Sequence, residues 1–429
     1  MRFLPRLLGR AVRKGRLTLT GPDGREWRFG DGDGPSAAIR INDPSFDWRI
    51  FLNPELNAAE AFMDGALVME AGTVLDLLTV FFVNKRTFDL TPNQIFWRGL
   101  ARGVRRFLTY NTLSQASANA QAHYDIGDDL YRPMLDADMQ YSCGYWPDGV
   151  ETLEDAQTAK KRHVAAKLSL RPGMRVLDIG CGWGGMALYL AAVADVEVVG
   201  VTLARDQLRV AQARADAAGL SGRVRFELQD FRAVEGRFDR VVSVGMLEHV
   251  GVGALPRYFL TVRDRLAPEG LALIHSITTK SPPGVTGPFI RKHIFPGGYS
   301  PALSETLAAV ERSGLWTLDV EVWRLHYART LRAWRERFLA ARDRLPPRYD
   351  DRFKRMWEFY LSACIGVFEH GSSAVMQLQL GRTRDAAPLT RDYLHEETER
   401  LRAREPDVLP ALLASTEAAF ASGRGTEKV

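Results

Sequence analysis

The stretch of the 429-residue chain most suggestive of chemistry reads Val176, Leu177, Asp178, Ile179, Gly180, Cys181, Gly182, Trp183, Gly184, Gly185. An apolar strand that ends in a glycine-rich turn and enters an alanine- and leucine-rich helix lets the backbone approach a ligand with no side chain in the way. A tight structural turn is the plain alternative; strand, turn and helix together favour a nucleotide-like cofactor. The phosphate-binding GxxxxGK pattern is missing, and the GCGWGG spacing differs from the dinucleotide GxGxxG, which argues against kinase, ATPase and hydride-transfer chemistry. Thr202, Leu203 and Gln207 follow the next strand, where Thr202 and Gln207 either bind ribose hydroxyls or act as ordinary caps. Asp230 and Phe231 follow the third, offering a polar edge contact and an apolar wall. Taken singly, Glu248 could cap the segment after it, His275 could satisfy a sheet-end backbone group, and Tyr327 could pack against it. Cys143 is a nucleophile or a small buried side chain, Cys181 a shape requirement of the turn, and neither sits in a Cys, His and Asp pattern that makes covalent catalysis compelling.

These residues must be carried by elements that the hydrophobic pattern predicts. From Arg175 onward short strands alternate with helices, the pattern of a mostly parallel sheet covered on both faces. The strands are expected at Arg175 to Ile179, Val196 to Val201, Val224 to Leu228, Phe238 to Val244 and Leu271 to Ile277. Trp316 to Trp323 and Val375 to Leu380 close the sheet, with an antiparallel pair expected at its end. Between them Leu331, Trp334, Phe338 and Leu345, then Phe353, Trp357, Tyr360 and Ile365, recur at helical spacing and read as buried stripes rather than a base-stacking array.

Ahead of this region, residues 1–118 read as a smaller, mostly helical accessory unit. Its opening segment, Met1 to Arg16, is basic and amphipathic, suited either to an anionic membrane surface or to solvent. Short strands are expected at Leu17 to Thr20, Glu26 to Phe29 and Ala38 to Ile41, then helical periodicity from Asn57 through Phe62, Leu67, Leu75, Leu78 and Phe82, and a helix over Pro92 to Leu108. Exposure of Phe81, Phe82, Phe96 and Trp97 would mark a lipid-docking face; burial would mark a packing domain. Residues 119–384 form the catalytic unit and 385–429 a charged C-terminal extension, either a peripheral helix or a contact for another subunit.

Composition narrows the field. With 46% hydrophobic and 25% charged residues the chain folds as a globular protein, and a net charge of +5 permits attraction to phosphate or anionic lipid without establishing it. Three widely spaced cysteines give no metal knuckle or disulfide scaffold, so no metal is expected. No apolar run is long enough for a membrane-spanning helix, and scattered arginines do not make a nucleic-acid site. Arg291, Lys292 and His293 form a local basic cluster that meets a lipid phosphate or lies in a solvated loop.

At the level of whole motifs the sequence resembles the cyclopropane-fatty-acyl-phospholipid synthases and the related mycolic acid cyclopropane synthases. The residues that carry the resemblance are Ala122 to Asp129, Tyr141 to Trp146, Val176 to Gly185, Ser243 to Gly251, Ile274 to Ile277 and Phe295 to Gly298. The resemblance implies an α/β, Rossmann-like S-adenosylmethionine-dependent methyltransferase fold with a mixed seven-stranded sheet. It implies S-adenosylmethionine contacts from Tyr124, Tyr141, Ser142, Gly180, Gly182, Thr202, Leu203, Gln207, Asp230 and Phe231. It also implies a bicarbonate site made by Cys143, Glu248, His275, the backbone of Ile277, and Tyr327, with bicarbonate as the general base. The expected reaction is cyclopropanation of cis-unsaturated acyl chains in membrane phospholipids, by a homodimer associated peripherally with the inner, cytoplasmic face of the membrane. Two alternatives stay open: C-methylation to a branched lipid, a choice that Tyr145, Trp146 and Phe289 could alter, and a nonenzymatic lipid-binding protein on a retained fold.

Overall fold

A computed structural model describes residues 1–50, 52–88 and 126–423. Tyr124, Phe96, Trp97 and the helix expected over Pro92 to Leu108 lie outside the described residues. The chain divides into two compact units that interleave along the sequence: Met1–Arg105, Gly284–Pro296 and Tyr327–Ser373 form one, and Arg106–Pro283, Gly297–His326 and Ala374–Val429 the other. The continuous boundaries at 118 and 384 therefore differ from the packing, which places two later stretches with the opening one.

The first unit contains a four-stranded sheet in the order β2-β1-β3-β4, with β1 at Arg16–Thr20, β2 at Glu26–Phe29, β3 at Ser36–Ile41 and β4 at Leu67–Ala71. β4 falls where the sequence pattern predicts continuing helix. Gly65 and Gly72, with φ of +75° each, turn the chain at both ends of it, and Thr73 then caps the helix Val74–Val83 through a reciprocal pair of hydrogen bonds with Asp76. The opening helix, Phe3–Ala11, spends its apolar face inside this unit: Leu4, Leu8, Ala11 and the following Val12 are all buried, and Phe3 alone among its large apolar residues is exposed. The apolar side that a membrane-surface helix would present is thus already covered. The helix Asp351–His370 packs on Pro54–Met63 and Val74–Val83, with Phe62 and Phe359 ring centroids 6.1 Å apart.

The second unit is built on a seven-stranded sheet ordered β10-β11-β9-β8-β5-β6-β7. The strands are β5 (Arg175–Ile179), β6 (Glu197–Thr202), β7 (Val224–Leu228), β8 (Phe238–Val244), β9 (Leu266–Thr279), β10 (Trp316–Trp323) and β11 (Ser373–Gly381). β5 runs parallel to β6 and β8, β6 to β7 and β8 to β9, while β10 and β11 pair antiparallel with Val320 opposite Leu378. Parallel strands covered on both faces need near-continuous apolar runs, and in β5 only Arg175 is exposed. The helix Gly185–Ala194 is buried along its whole length, and the C-terminal helix Asp392–Gly423 lays Leu401 and Leu412 into the same core. Glu405 on that helix accepts from Tyr189 Oη at 2.7 Å and from Arg162 Nε at 2.9 Å. The charged extension is therefore integral to this unit.

Candidate active site

Every parallel strand of this sheet ends toward the loops that would hold a ligand, the usual location in open α/β sheets. Gly180, at φ +82°, donates its N–H to the Val201 carbonyl at 2.9 Å and pins the turn to β6. Gly184, at φ +84°, packs so closely that an added Cβ would stand 2.7 Å from the Phe226 ring. The turn opens onto a cleft lined by Tyr141, Ser142, Gly180, Gly182, Thr202, Leu203, Gln207, Asp230 and Phe231. Thr202 lines the cleft and also works locally, since its Oγ1 accepts the Ala204 N–H at 3.2 Å. Asp230 is folded onto Arg232, accepting from its backbone N–H at 2.9 Å and from Nε and Nη2 at 2.7 and 2.8 Å. Phe231 is buried edge-on to Tyr258, centroids 5.3 Å apart.

Asp178 also lines this cleft, a feature that its place in an apolar strand concealed. Burial pushes its carboxyl up to about 7, and Oδ2 has no hydrogen-bond partner among the described residues. A buried carboxylate without a partner is costly unless a ligand satisfies it, and a cationic ligand group would do so.

Glu248 occupies the loop after β8. The turn is set by Gly245, whose N–H reaches the His275 carbonyl at 2.9 Å, and the Tyr299 N–H donates to the Glu248 carbonyl at 2.9 Å. The side chain points across to β9, where its Oε1 accepts the Ile277 N–H at 2.6 Å, rather than capping its own segment. Its Oε2 is buried without a hydrogen-bond partner among the described residues; Ser276 lies beside it, with its hydroxyl turned to the Ile277 carbonyl at 3.1 Å. Burial pushes this carboxyl up to about 7 against the pull of the Ile277 N–H. His275 is buried, its Nδ1 at 3.1 Å from Gln377 Nε2, which leaves Nε2–H as the free donor. Burial lowers its pKa to about 3, so the ring is neutral at physiological pH. Cys143 is buried with its thiol toward the Gly144 carbonyl at 3.3 Å. His249 lines the cleft and is held neutral by burial, its pKa lowered to about 4.

Cys143, Glu248, His275 and Ile277 thus belong to one unit. The Ile277 N–H is committed to Glu248 rather than left open to a ligand. Tyr327 lies in the other unit, where its ring packs against Phe368 at 4.8 Å and edge-on to Trp334 at 5.8 Å. Phe289 is also in that unit, T-shaped to Phe359 at 4.9 Å, whereas Tyr145 stacks on His163 and Trp323 at 4.6 and 4.7 Å in the catalytic unit. Of the basic cluster, Lys292 and His293 are both engaged by Glu60, at 2.6 and 3.0 Å, in a π-type turn over Ile290–Ile294.

The sequence reading missed a buried polar layer behind the cleft. Lys161 and Arg214 both pair with Asp138; burial opposes that carboxylate's charge, yet Lys161 and Arg214 hold its pKa down at about 2. Lys160 reaches Gln140 Oε1 at 2.5 Å and Ser142 Oγ at 2.8 Å. The signal was present: Leu153, Gln157, Lys160, Val164 and Lys167 recur at helical spacing on the inward stripe of the helix Leu153–Leu168.

Residues 111–378 match the family model described as mycolic acid cyclopropane synthetase. The chain belongs to this family. It is 40% identical over 349 residues to the cyclopropane-fatty-acyl-phospholipid synthase of Escherichia coli (strain K12), covering 81% of this chain and 88% of that one. It is also 40% identical over 351 residues to a probable fatty acid methyltransferase of Pseudomonas putida, covering 80% and 86%. Among solved structures, a mycolic acid cyclopropane synthase complexed with SAH and CTAB superposes with a TM-score of 0.58 at 30% identity, over 63% of this chain and 99% of that one. The protein is an S-adenosylmethionine-dependent methyltransferase with the mixed α/β sheet of that class. No described helix is long and apolar enough to cross a membrane.

Proposed function

We propose that this enzyme cyclopropanates cis-unsaturated acyl chains of membrane phospholipids, with bicarbonate as the bound base. The observation that carries the reading is Glu248: a buried carboxylate anchored through Oε1, with Oε2 buried and without a hydrogen-bond partner, beside the cofactor cleft. When bound, S-adenosylmethionine supplies an electrophilic sulfonium methyl, and bicarbonate supplies an acceptor for the proton lost when the ring closes. The cleft residues Tyr141, Ser142, Thr202, Gln207 and Phe231 hold the donor, and Asp178 offers a carboxylate to its cationic part. Glu248 Oε2 is an acceptor suited to the hydroxyl of bicarbonate, and the neutral His275 Nε2–H is a donor suited to its oxygens. These donors and acceptors fit the group, so the chain positions the base and need not be the base.

The lipid tail must leave the bilayer to react, so the enzyme docks peripherally on an anionic membrane surface, at the inner, cytoplasmic face, as a homodimer. The 40% identity to a probable fatty acid methyltransferase as well keeps a methyl-branched product as the second reading. Labelled S-adenosylmethionine with unsaturated phospholipid vesicles, followed by mass analysis of the intact lipid, separates them. Gain of CH2 with loss of the alkene in a ring supports cyclopropanation, and a methylated product with a different fragmentation pattern refutes it. Turnover that is indifferent to removal and return of bicarbonate refutes the base.

A further inference from the structure

Lys160 is fully buried on the helix Leu153–Leu168. Its ammonium touches two neutral acceptors, Gln140 Oε1 at 2.5 Å and Ser142 Oγ at 2.8 Å, and among the described residues no carboxylate lies within ion-pair distance of it. The nearest candidates are already spent. Asp138 is taken by Lys161 and Arg214. Asp136 uses Oδ1 on the Gln140 N–H at 2.8 Å and Oδ2 on the Asp138 N–H at 3.1 Å. Of the three buried cations Lys160, Lys161 and Arg214, only Lys161 and Arg214 form an ion pair, both with Asp138. Asp178 also faces Lys160, but it lines the cofactor cleft and is the carboxylate available to a cationic cofactor. A buried ammonium without a counter-ion is unstable unless an anion joins it.

The position of Lys160 says where that anion belongs. Gln140 and Ser142, which it holds, line the cofactor cleft, and Cys143 follows Ser142 directly. The helix that carries Lys160 also packs on β9, the strand that carries His275. We propose that Lys160 is a positioning residue that supplies the balancing positive charge for a small oxyanion held beside Cys143 and His275, while its hydrogen bonds fix the adjoining wall of the cofactor cleft. The inference rests on the bicarbonate reading above. Burial drives the Lys160 amine down to about 7 against the pull of Asp136 and Asp138, with Lys161 adding to the depression and Cys143 opposing it. An anion beside it restores the ammonium form.

The test compares the full-length enzyme with Lys160→Met, which keeps the stem and removes the charge. Binding of carbon-13 bicarbonate to the enzyme loaded with SAH is followed by NMR, SAH affinity by calorimetry, and turnover across a bicarbonate series. The expected result is a bicarbonate affinity weaker by about tenfold or more, a clearly smaller loss of SAH affinity from the loosened cleft wall, and turnover recovered by excess bicarbonate. Unchanged bicarbonate affinity overturns the inference. Equal weakening of SAH and bicarbonate without recovery also overturns it, since that is the behaviour of a purely structural lysine. Should Lys160→Met melt early, Lys160→Gln is measured in the same way and judged by the same bicarbonate affinity. If the parent enzyme neither binds bicarbonate nor responds to it, the bicarbonate reading itself fails and the inference falls with it.

Discussion

Glu248→Gln tests two consequences of the same geometry with opposite signs. The substitution keeps size and lets the amide oxygen go on accepting the Ile277 N–H, now held at 2.6 Å by Oε1. It replaces the unpartnered Oε2 by a donor, so a ligand hydroxyl loses its acceptor and meets an N–H instead. A hydrogen bond to a charged group contributes about 1.5–3 kcal/mol, which predicts a fall in turnover of roughly 10- to 150-fold. SAH affinity should change little, because Glu248 does not line the cofactor cleft. Stability should move the other way. A carboxyl that titrates near 7 in the folded chain instead of 4.5 destabilises the folded state by about 3 kcal/mol once both states are ionised. Because the folded pKa is the raised one, the parent loses this stability as pH rises from 4.5 toward 7, and the variant does not. Thermal melting at pH 5 and pH 8 should show the gain in Tm concentrated at pH 8. Near-parental turnover in a folded variant refutes the role in catalysis, and a Tm gain of equal size at both pH values refutes the burial argument.

Other expectations follow from packing and charge. Gly184→Ala forces a Cβ to within 2.7 Å of Phe226 at a φ of +84°, so it should cost about 2–4 kcal/mol by urea unfolding and weaken SAH binding. Asp138→Asn leaves Lys161 and Arg214 buried without their shared carboxylate and should destabilise by about 3–5 kcal/mol, seen as a lower urea midpoint. In the parent, the contribution of Asp138 is present above its ordinary value of 3.8 and is lost as pH falls toward 2. Co-sedimentation with anionic vesicles at low salt should weaken more in Arg291→Ala than in Lys292→Ala, because Glu60 already neutralises Lys292; the reverse order would count against this cluster as a phosphate contact.

Much of the sheet was legible because its physics is local. β5, β7, β8 and β10 coincide with the expected runs: β5 and β8 are inner strands written as largely apolar stretches, and the edge strands β7 and β10 alternate apolar with polar residues. The glycine turn was legible for a similar reason: only glycine relieves both its positive φ values and its contact with Phe226. β4 was hidden because Leu67 and Leu75 keep a helical spacing across two glycine turns that break the helix. Asp178 and Lys160 were hidden because each stands where an apolar residue is expected, and only the assembled core shows that, among the described residues, neither forms an ion pair. The interleaving of the units was hidden for another reason, since no local pattern records which helix a distant stretch will pack against.

That interleaving has a bearing on synthesis. Gly366 has no Cβ because the Phe82 ring fills the space, so a side chain from the opening hundred residues waits for a helix made nearly three hundred residues later. A ribosome that has released β1 to β4 has not yet delivered the partner that covers the helix Val74–Val83. Its apolar side stays open while the whole parallel sheet is being threaded. Such a nascent chain invites a chaperone, and truncation before residue 373 should yield aggregates rather than a free-standing N-terminal unit.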